Sequence, residues 1–365
     1  MKTVRSMFSN LWGQKPPEVS HDKKVNLMVT LWPDFSHFAK FANDKRLSGI
    51  RLNSAKITND QLEKDLKLLP TFGSTVPLYF DAKGRQPRII WVDMANKKNL
   101  VLRLNHPISI KTPVRVLFKA GADSAVLDYL EDGGKLLVFR GGPAYMVEPG
   151  ESIHILDSDF SILGPIFTDE EKLKLEKVRK SGFKNYFLSY VESKQDLDEF
   201  YELVGRDSEV KLKIENQRGL YFVANSFKKE SNVSLVTALG DLYIELEWPH
   251  KVLDALKLII SKDSDACVGS RMFLSVANKM RNARLVDAIK LLRSNDVSSF
   301  DPGKVIEKNL LSSINRDIPS CADMCQVAWF KEIGYRNMML CDELCLYEDL
   351  LDIAVDAFDA FRANR

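Results

Sequence analysis

The feature that most narrows the fold is an alternation. Short apolar, strand-like runs are each followed by a stretch with helical spacing, and this recurs along nearly the whole chain. Lys24–Thr30 reads as a strand broken at Trp32-Pro33, after which Asp34 caps a helix to about Asn43. Gly49–Asn53 reads as a second strand. Thr58 then caps a helix carrying Leu62, Leu66 and Leu69, which ends at Pro70 and Gly73. Val76–Asp81 is a third strand. Strand–helix–strand order implies parallel pairing, because parallel strands need a long crossover between them.

The rhythm breaks once. Ile89–Val92, Leu100–Leu104, Val114–Phe118, Lys135–Phe139 and Ala144–Val147 are short β-like runs, the later ones divided by Gly133-Gly134 and Gly141-Gly142-Pro143. The alternation then resumes. Thr168-Asp-Glu-Glu opens a helix with a capping-box pattern, Phe183–Leu188 is a strand, and Ser193 caps a helix to about Val204. Strand Glu209–Glu215, a helix around Tyr221–Lys228, and a strand at Val233–Thr237 ending at Gly240-Asp241 follow. A helix with Val252, Leu256 and Ile259, strand Ala266–Val268, a helical stretch over about Ala277–Asn315 and a helix at Ala322–Glu332 come next. Strand Asn337–Cys341 and a helix at Tyr347–Phe361 complete the series.

Eight βα units close naturally into a barrel. The expected fold is therefore α/β, a (β/α)8 TIM barrel with a small all-β domain inserted after the third strand. Its parts are an N-terminal extension over 1–23, the first part of the barrel over 24–88, the inserted β domain over 89–158, and the second part of the barrel over 159–365. A doubly wound sheet would need a glycine-rich phosphate turn after the first strand, and Trp32-Pro33 does not supply one. The extension carries Met7, Phe8, Leu11 and Trp12 among basic residues, without the apolar stretch of a secretory signal. It reads as a flexible or loosely docked segment.

Charge narrows the partners. The 52 basic and 50 acidic residues leave a net +2, which makes no electrostatic case for nucleic acid or an anionic membrane. No apolar run reaches the ~18 residues of a membrane span. The five cysteines, Cys267, Cys321, Cys325, Cys341 and Cys345, form no recognised metal spacing and read as buried free thiols in a reducing, cytoplasmic setting. Oligomeric state is not legible from the sequence.

In a (β/α)8 barrel the site lies at the C-terminal ends of the strands. Those ends carry Arg51 and Asn53, Asp81 and Lys83, Lys213 and Glu215, Gly240 and Asp241, and Ser270. Lys213 and Glu215 are two apart in a strand and share a face. Carboxylates without histidine partners suit a hard cation such as Mg2+ or Mn2+. Arg51, Arg88 and Lys213 would surround an anionic, phosphorylated substrate. Each of these residues alone is equally a salt bridge or a helix cap.

These residues resemble the pyruvate kinase family. Lys213-Ile-Glu-Asn-Gln-Arg-Gly219 is similar to its Lys-Ile-Glu-Asn-Gln-x-Gly signature, and Ile50-Arg-Leu-Asn53 to its Met-Arg-Leu-Asn segment. Asp81-Ala-Lys-Gly84 with Arg88 resembles Asp-Thr-Lys-Gly-x-x-x-Arg, and Ala238-Leu-Gly-Asp-Leu242 resembles Ala-Arg-Gly-Asp-Leu. Ser270-Arg-Met272 stands where the family has Thr-Gln-Met. The order and spacing fit over about residues 24–362.

The resemblance implies a fold, a reaction and roles. Phosphoryl would pass between phosphoenolpyruvate and ADP with Mg2+, giving pyruvate and ATP, the glycolytic step. Lys213 would stabilise the transferring phosphoryl and the enolate. Glu215 and Asp241 would ligate the divalent cation, and the N–H groups of Gly240 and Asp241 would hold the substrate carboxylate. Arg51 would hold the phosphoryl group, Ser270 would stand for a threonine near the enolate, and Arg88 and Asn53 would serve the nucleotide. Asn53 and Asp81 would belong to a K+ site. Departures bear on the last two roles. Ala82 replaces a threonine, Asn53-Ser-Ala-Lys56 replaces Asn-Phe-Ser-His, Leu239 replaces arginine, and Tyr243 is bulky where the family is small. The first two changes remove K+ ligands, and Leu239 and Tyr243 reshape the pocket. No counterpart of the family's C-terminal regulatory domain is expected. A related Mg2+-dependent barrel enzyme acting on another small acid, or a non-catalytic binding or scaffold protein of the same family, are the alternative functions.

Overall fold

The structure, a computed structural model, describes residues 24–93, 99–246, 248–277 and 318–363. The extension expected over 1–23 and most of the helix expected over 277–315 lie outside the described residues. In chain order the first strands are β1 (Asn26–Thr30), β2 (Leu47–Asn53) and β3 (Leu78–Ala82). Seven strands that pair only antiparallel follow: β4 (Ile89–Val92), β5 (Val101–Leu104), β6 (Ile108–Ser109), β7 (Val114–Phe118), β8 (Asp123–Glu131), β9 (Leu136–Arg140) and β10 (Ser161–Ile162). Parallel pairing resumes in β11 (Asn185–Leu188), β12 (Glu209–Ile214), β13 (Val233–Ala238), β14 (Cys267–Gly269) and β15 (Asn337–Met339). β15 pairs back with β1 and closes an eight-stranded parallel barrel.

The barrel strands are buried on both faces, which is why they read as near-continuous apolar runs. In β1, Leu27 to Thr30 are all buried. Helices follow them, but the first is a single turn, Phe38–Phe41, with His37 rather than Asp34 at its N-cap and no side-chain cap bond. Four later starts are set by side-chain caps. Thr58 accepts from the Gln61 amide, Thr168 from Glu171, Ser193 from Asp196 and Ser320 from Asp323. The outcome is a mixed α/β protein with a TIM-like barrel. Leu27, Ile50, Phe80, Leu212 and Leu235 belong to its main apolar cluster. Between β3 and β11, a five-stranded antiparallel sheet, in the order β4-β5-β9-β8-β7, and a β6–β10 ribbon gather a separate cluster around Phe118, Leu127 and Phe139.

Several elements differ from expectation. Ala144–Val147 is not a strand. Instead β8 fills the sheet over Asp123–Glu131, a segment whose Ala, Leu and Glu content suits a helix equally well. A register shift between Leu127 and Tyr129 breaks its alternation. The helix expected at Tyr221–Lys228 begins earlier, over Gln217–Asn225, because the Asn216 side chain accepts from the Gly219 amide. β13 stops at Ala238, so Gly240 and Asp241 lie in the first turn of a short helix, Leu239–Glu245, rather than at a strand end. The capping box at Thr168 is half made, since Glu171 accepts from the Lys83 amide (3.2 Å) instead. Of the cysteines, Cys267 and Cys345 are buried but Cys321 and Cys325 are exposed. Among the described residues no helix is long and apolar enough to cross a membrane.

Candidate active site

A cavity of about 320 Å³ opens at the C-terminal ends of the barrel strands. Arg51, Asn53, Arg88, Lys213, Glu215, Gly240, Asp241 and Ser270 all line it. Of the residues read from the sequence, only Asp81 does not, and it lies fully buried beside the others.

Asp81 is the electrostatic hub. Its Oδ2 accepts from Arg51 Nε (2.7 Å) and Lys83 Nζ (3.0 Å), with Arg51 Nη2 at 2.6 Å and Lys213 Nζ at 3.4 Å. Its Oδ1 accepts from Ser189 Oγ (3.0 Å). Burial alone would raise the Asp81 carboxyl, but Lys213, Lys83 and Arg51 together hold it well below the usual carboxylate range. Burial pulls the Lys83 ammonium down to about 7, against the pull of Asp81. Lys213 goes the other way. Burial opposes its charge, yet Asp81 and Glu215 raise it above an ordinary lysine. Its ammonium is aimed by three contacts, Glu215 Oε1 at 3.0 Å, Ser189 Oγ at 2.9 Å and Asp81.

Glu215 is buried, and its Oε2 accepts from the Tyr190 amide (2.7 Å). Tyr190 has a left-handed backbone (φ 55°), a costly conformation for a residue with a Cβ, and it turns that N–H onto the carboxylate. Burial raises the Glu215 carboxyl, Lys213 opposes, and Asp241 and Asp81 add to the rise. Asp241 belongs to the same charge cluster and is 32% exposed.

Two of the expected roles meet competition. Asn53 caps the turn Ser54–Lys56 and donates to Asp342 Oδ2 (2.7 Å). Arg88 donates to the Gly150 carbonyl (2.7 Å) and to Gln86. The proposed K+ ligand Asp81 already holds three side-chain cations. Ser270 Oγ accepts from Gln326 Nε2 (3.1 Å), which leaves its own proton free to donate. Sequence reasoning missed Asp342, which takes Arg51 Nη1 (2.8 Å), and it missed His154 and Glu245. The only signal for Asp342 is an acidic pair, Asp342-Glu343, directly after the last strand.

The Asn-Gln-x-Gly part of the motif has a packing reason. A Cβ on Gly219 would stand 2.7 Å from the Val191 carbonyl and 3.3 Å from Ile214 Cγ2. Gly219→Ala should therefore destabilise the fold by about 1–3 kcal/mol through overpacking. Urea denaturation measures this, and a loss within the error of the measurement would mean that the helix shifts freely.

The donor set fits a hard divalent cation. Glu215 and Asp241 present carboxylate oxygens to one cavity, which Asp342, Glu343 and Cys341 also line and no histidine does. Among the described residues no group of three or more His, Cys, Asp or Glu stands ready to hold a metal. An ion here would complete its shell with water or substrate. A scan against protein-family models finds none that matches the chain, and a search of the curated proteins finds no significant match.

Proposed function

We propose that the protein is a pyruvate kinase-like phosphotransferase, which moves phosphoryl between phosphoenolpyruvate and ADP with Mg2+ or Mn2+ to give pyruvate and ATP. The supporting observation is the buried Lys213–Glu215 pair facing one cavity with Asp241. The formal charges lining that cavity nearly balance, with Arg51, Lys83, Arg88, Lys213 and Arg271 against Glu215, Asp241, Asp342 and Glu343. A bound dication would leave it positive, as a phosphorylated carboxylic acid requires.

Glu215 and Asp241 would hold the cation, which would supply charge neutralisation for phosphoryl transfer. Lys213, aimed by Ser189 and Asp81, stabilises negative charge on the transferring group. The first-turn N–H groups of Gly240 and Asp241, which have no intrahelical partner, receive the substrate carboxylate. Ser270, with its oxygen held by Gln326, keeps a hydroxyl proton for the enolate side. In this reading the antiparallel segment between β3 and β11 is an inserted β domain beside the nucleotide, and the protein is cytoplasmic.

A coupled assay for pyruvate from phosphoenolpyruvate, ADP and Mg2+ tests the proposal. Turnover is the expected result. Replacing K+ by a bulky organic cation should change the rate less than about twofold, because the Asp81 carboxylate is already held by Arg51, Lys83 and Lys213. A strong K+ requirement would refute that second expectation. One observation favours the alternative of a related divalent-metal enzyme acting on another small acid. The Arg51 and Arg88 guanidinium groups, which would serve phosphoryl and nucleotide, are engaged with Asp81, Asp342, Gly150 and Gln86. Binding of phosphoenolpyruvate without turnover would select that alternative.

A further inference from the structure

The fold brings a histidine to a carboxylate pair that the sequence leaves without one. His154 lies in the antiparallel segment, where backbone hydrogen bonds of 2.9 and 3.1 Å join it to Leu117. Its imidazole is fully buried against the helix Leu239–Glu245. Nδ1 is 2.6 Å from Glu245 Oε1. Nε2 is buried, has no hydrogen-bond partner, and stands 3.7 Å from Asp241 Oδ1.

Nε2 thus makes no hydrogen bond although it is buried, and the carboxylate it faces, Asp241, stands just beyond hydrogen-bond reach. The arrangement has the form of a metal-ligating histidine. Such a residue gives its second ring N–H to a carboxylate, which fixes the tautomer and turns the other nitrogen's lone pair outward. Glu245 fills that part, and Nε2 faces Asp241. Two donors each about 2.1 Å from one ion stand roughly 3.0 Å apart at a right angle and roughly 3.4 Å apart on a tetrahedron. A shift of a few tenths of an ångström by the partly exposed Asp241 brings the pair to ligating distance.

We propose that His154 Nε2 and Asp241 are joint ligands of one dication, with Glu215 as a further carboxylate in the same cluster. The nitrogen donor selects a first-row transition ion such as Mn2+ over Mg2+. This deepens, and rests on, the metal reading of the site. It also makes the antiparallel segment a contributor to the metal centre, so that metal binding ties that segment to the barrel.

The test reads the metal, not turnover. Mn2+ is titrated into the full chain and followed by electron paramagnetic resonance, with spin-echo modulation recorded on the bound ion. The wild-type protein should show nitrogen modulation from a directly bound imidazole, and His154→Gln should abolish it. His154→Gln should also raise the Mn2+ Kd by at least about tenfold while Mg2+ affinity changes by less than about twofold. Glu245→Gln keeps the imidazole but removes its anchor, and should weaken Mn2+ by about tenfold with the nitrogen signal retained. If His154→Gln does not fold, the wild-type spectrum and Glu245→Gln still decide. Bound Mn2+ without nitrogen modulation overturns the proposal, makes His154 an ion-pairing latch, and leaves the oxygen site standing. No Mn2+ binding overturns this proposal and the metal reading together. Phosphoryl turnover on some other arrangement would not restore it.

Discussion

Lys213→Ala should lower pyruvate formation by about 10³-fold, because preorganised charge at the reacting group is the main catalytic resource of a phosphoryl-transfer site. The lysine is suited to that task by its surroundings. Its ammonium is held by Glu215 at 3.0 Å and Ser189 at 2.9 Å, so little reorganisation is needed when charge develops nearby. Asp81 and Glu215 raise its proton affinity against the effect of burial, which keeps it charged at neutral pH. The loss should appear in kcat rather than in the affinity for phosphoenolpyruvate, since an interaction formed in the transition state leaves ground-state binding nearly unchanged. Lys213→Arg should not restore the rate, because a planar fork cannot occupy the space of a compact ammonium among Ser189, Asp81 and Glu215. The variants are compared in the coupled assay after circular dichroism confirms that each is folded. Turnover within tenfold of wild type in Lys213→Ala would remove Lys213 from the reacting phosphoryl group.

The barrel was legible because its signals are local. Buried parallel strands are short apolar runs, helix starts carry Thr, Ser or Asn caps, and strand ends carry the polar residues of the mouth. Lys213 and Glu215 could be paired from spacing alone, since a strand puts residues two apart on one face. The contacts that escaped are those that depend on closure of the chain. Arg51 meets Asp342 across 291 positions, and His154 meets Glu245 across 91. No local pattern marks either pair. The error at Gly240-Asp241 has a different cause. A strand that passes directly into a helix leaves no turn residue to mark the change, and glycine in a first helical turn weakens the helical signal. Asn53 and Arg88 line the cavity, but their hydrogen-bond partners are Asp342 and Gly150, which only the folded chain supplies.

Asp81→Asn should be the most damaging single substitution for stability, costing about 3–5 kcal/mol. The change is nearly isosteric, so the loss is electrostatic rather than steric. A neutral amide would face Arg51, Lys83 and Lys213, all buried and all drawn to one carboxylate oxygen in the native protein. Arg51 would keep Asp342 and Lys213 would keep Glu215, but Lys83 would have no carboxylate contact left apart from more distant charges. The pH dependence carries the same signature. The folded-state pKa of Asp81 is well below that of the unfolded chain, so its stabilisation is fully present above about pH 4 and is lost as pH falls through the folded value. The gap between wild type and Asp81→Asn should therefore carry the full Asp81 contribution by about pH 5 and narrow below about pH 4. Lys83 adds an effect at the other end of the scale. Its folded pKa of about 7 lies below the ordinary 10.5, so the folded chain binds fewer protons in that window and this group's contribution to stability rises with pH through it. Urea unfolding of both proteins across this range measures each effect. A loss below about 1 kcal/mol at neutral pH would show that the three cations find other partners or water, and that Asp81 does not organise the floor of the site.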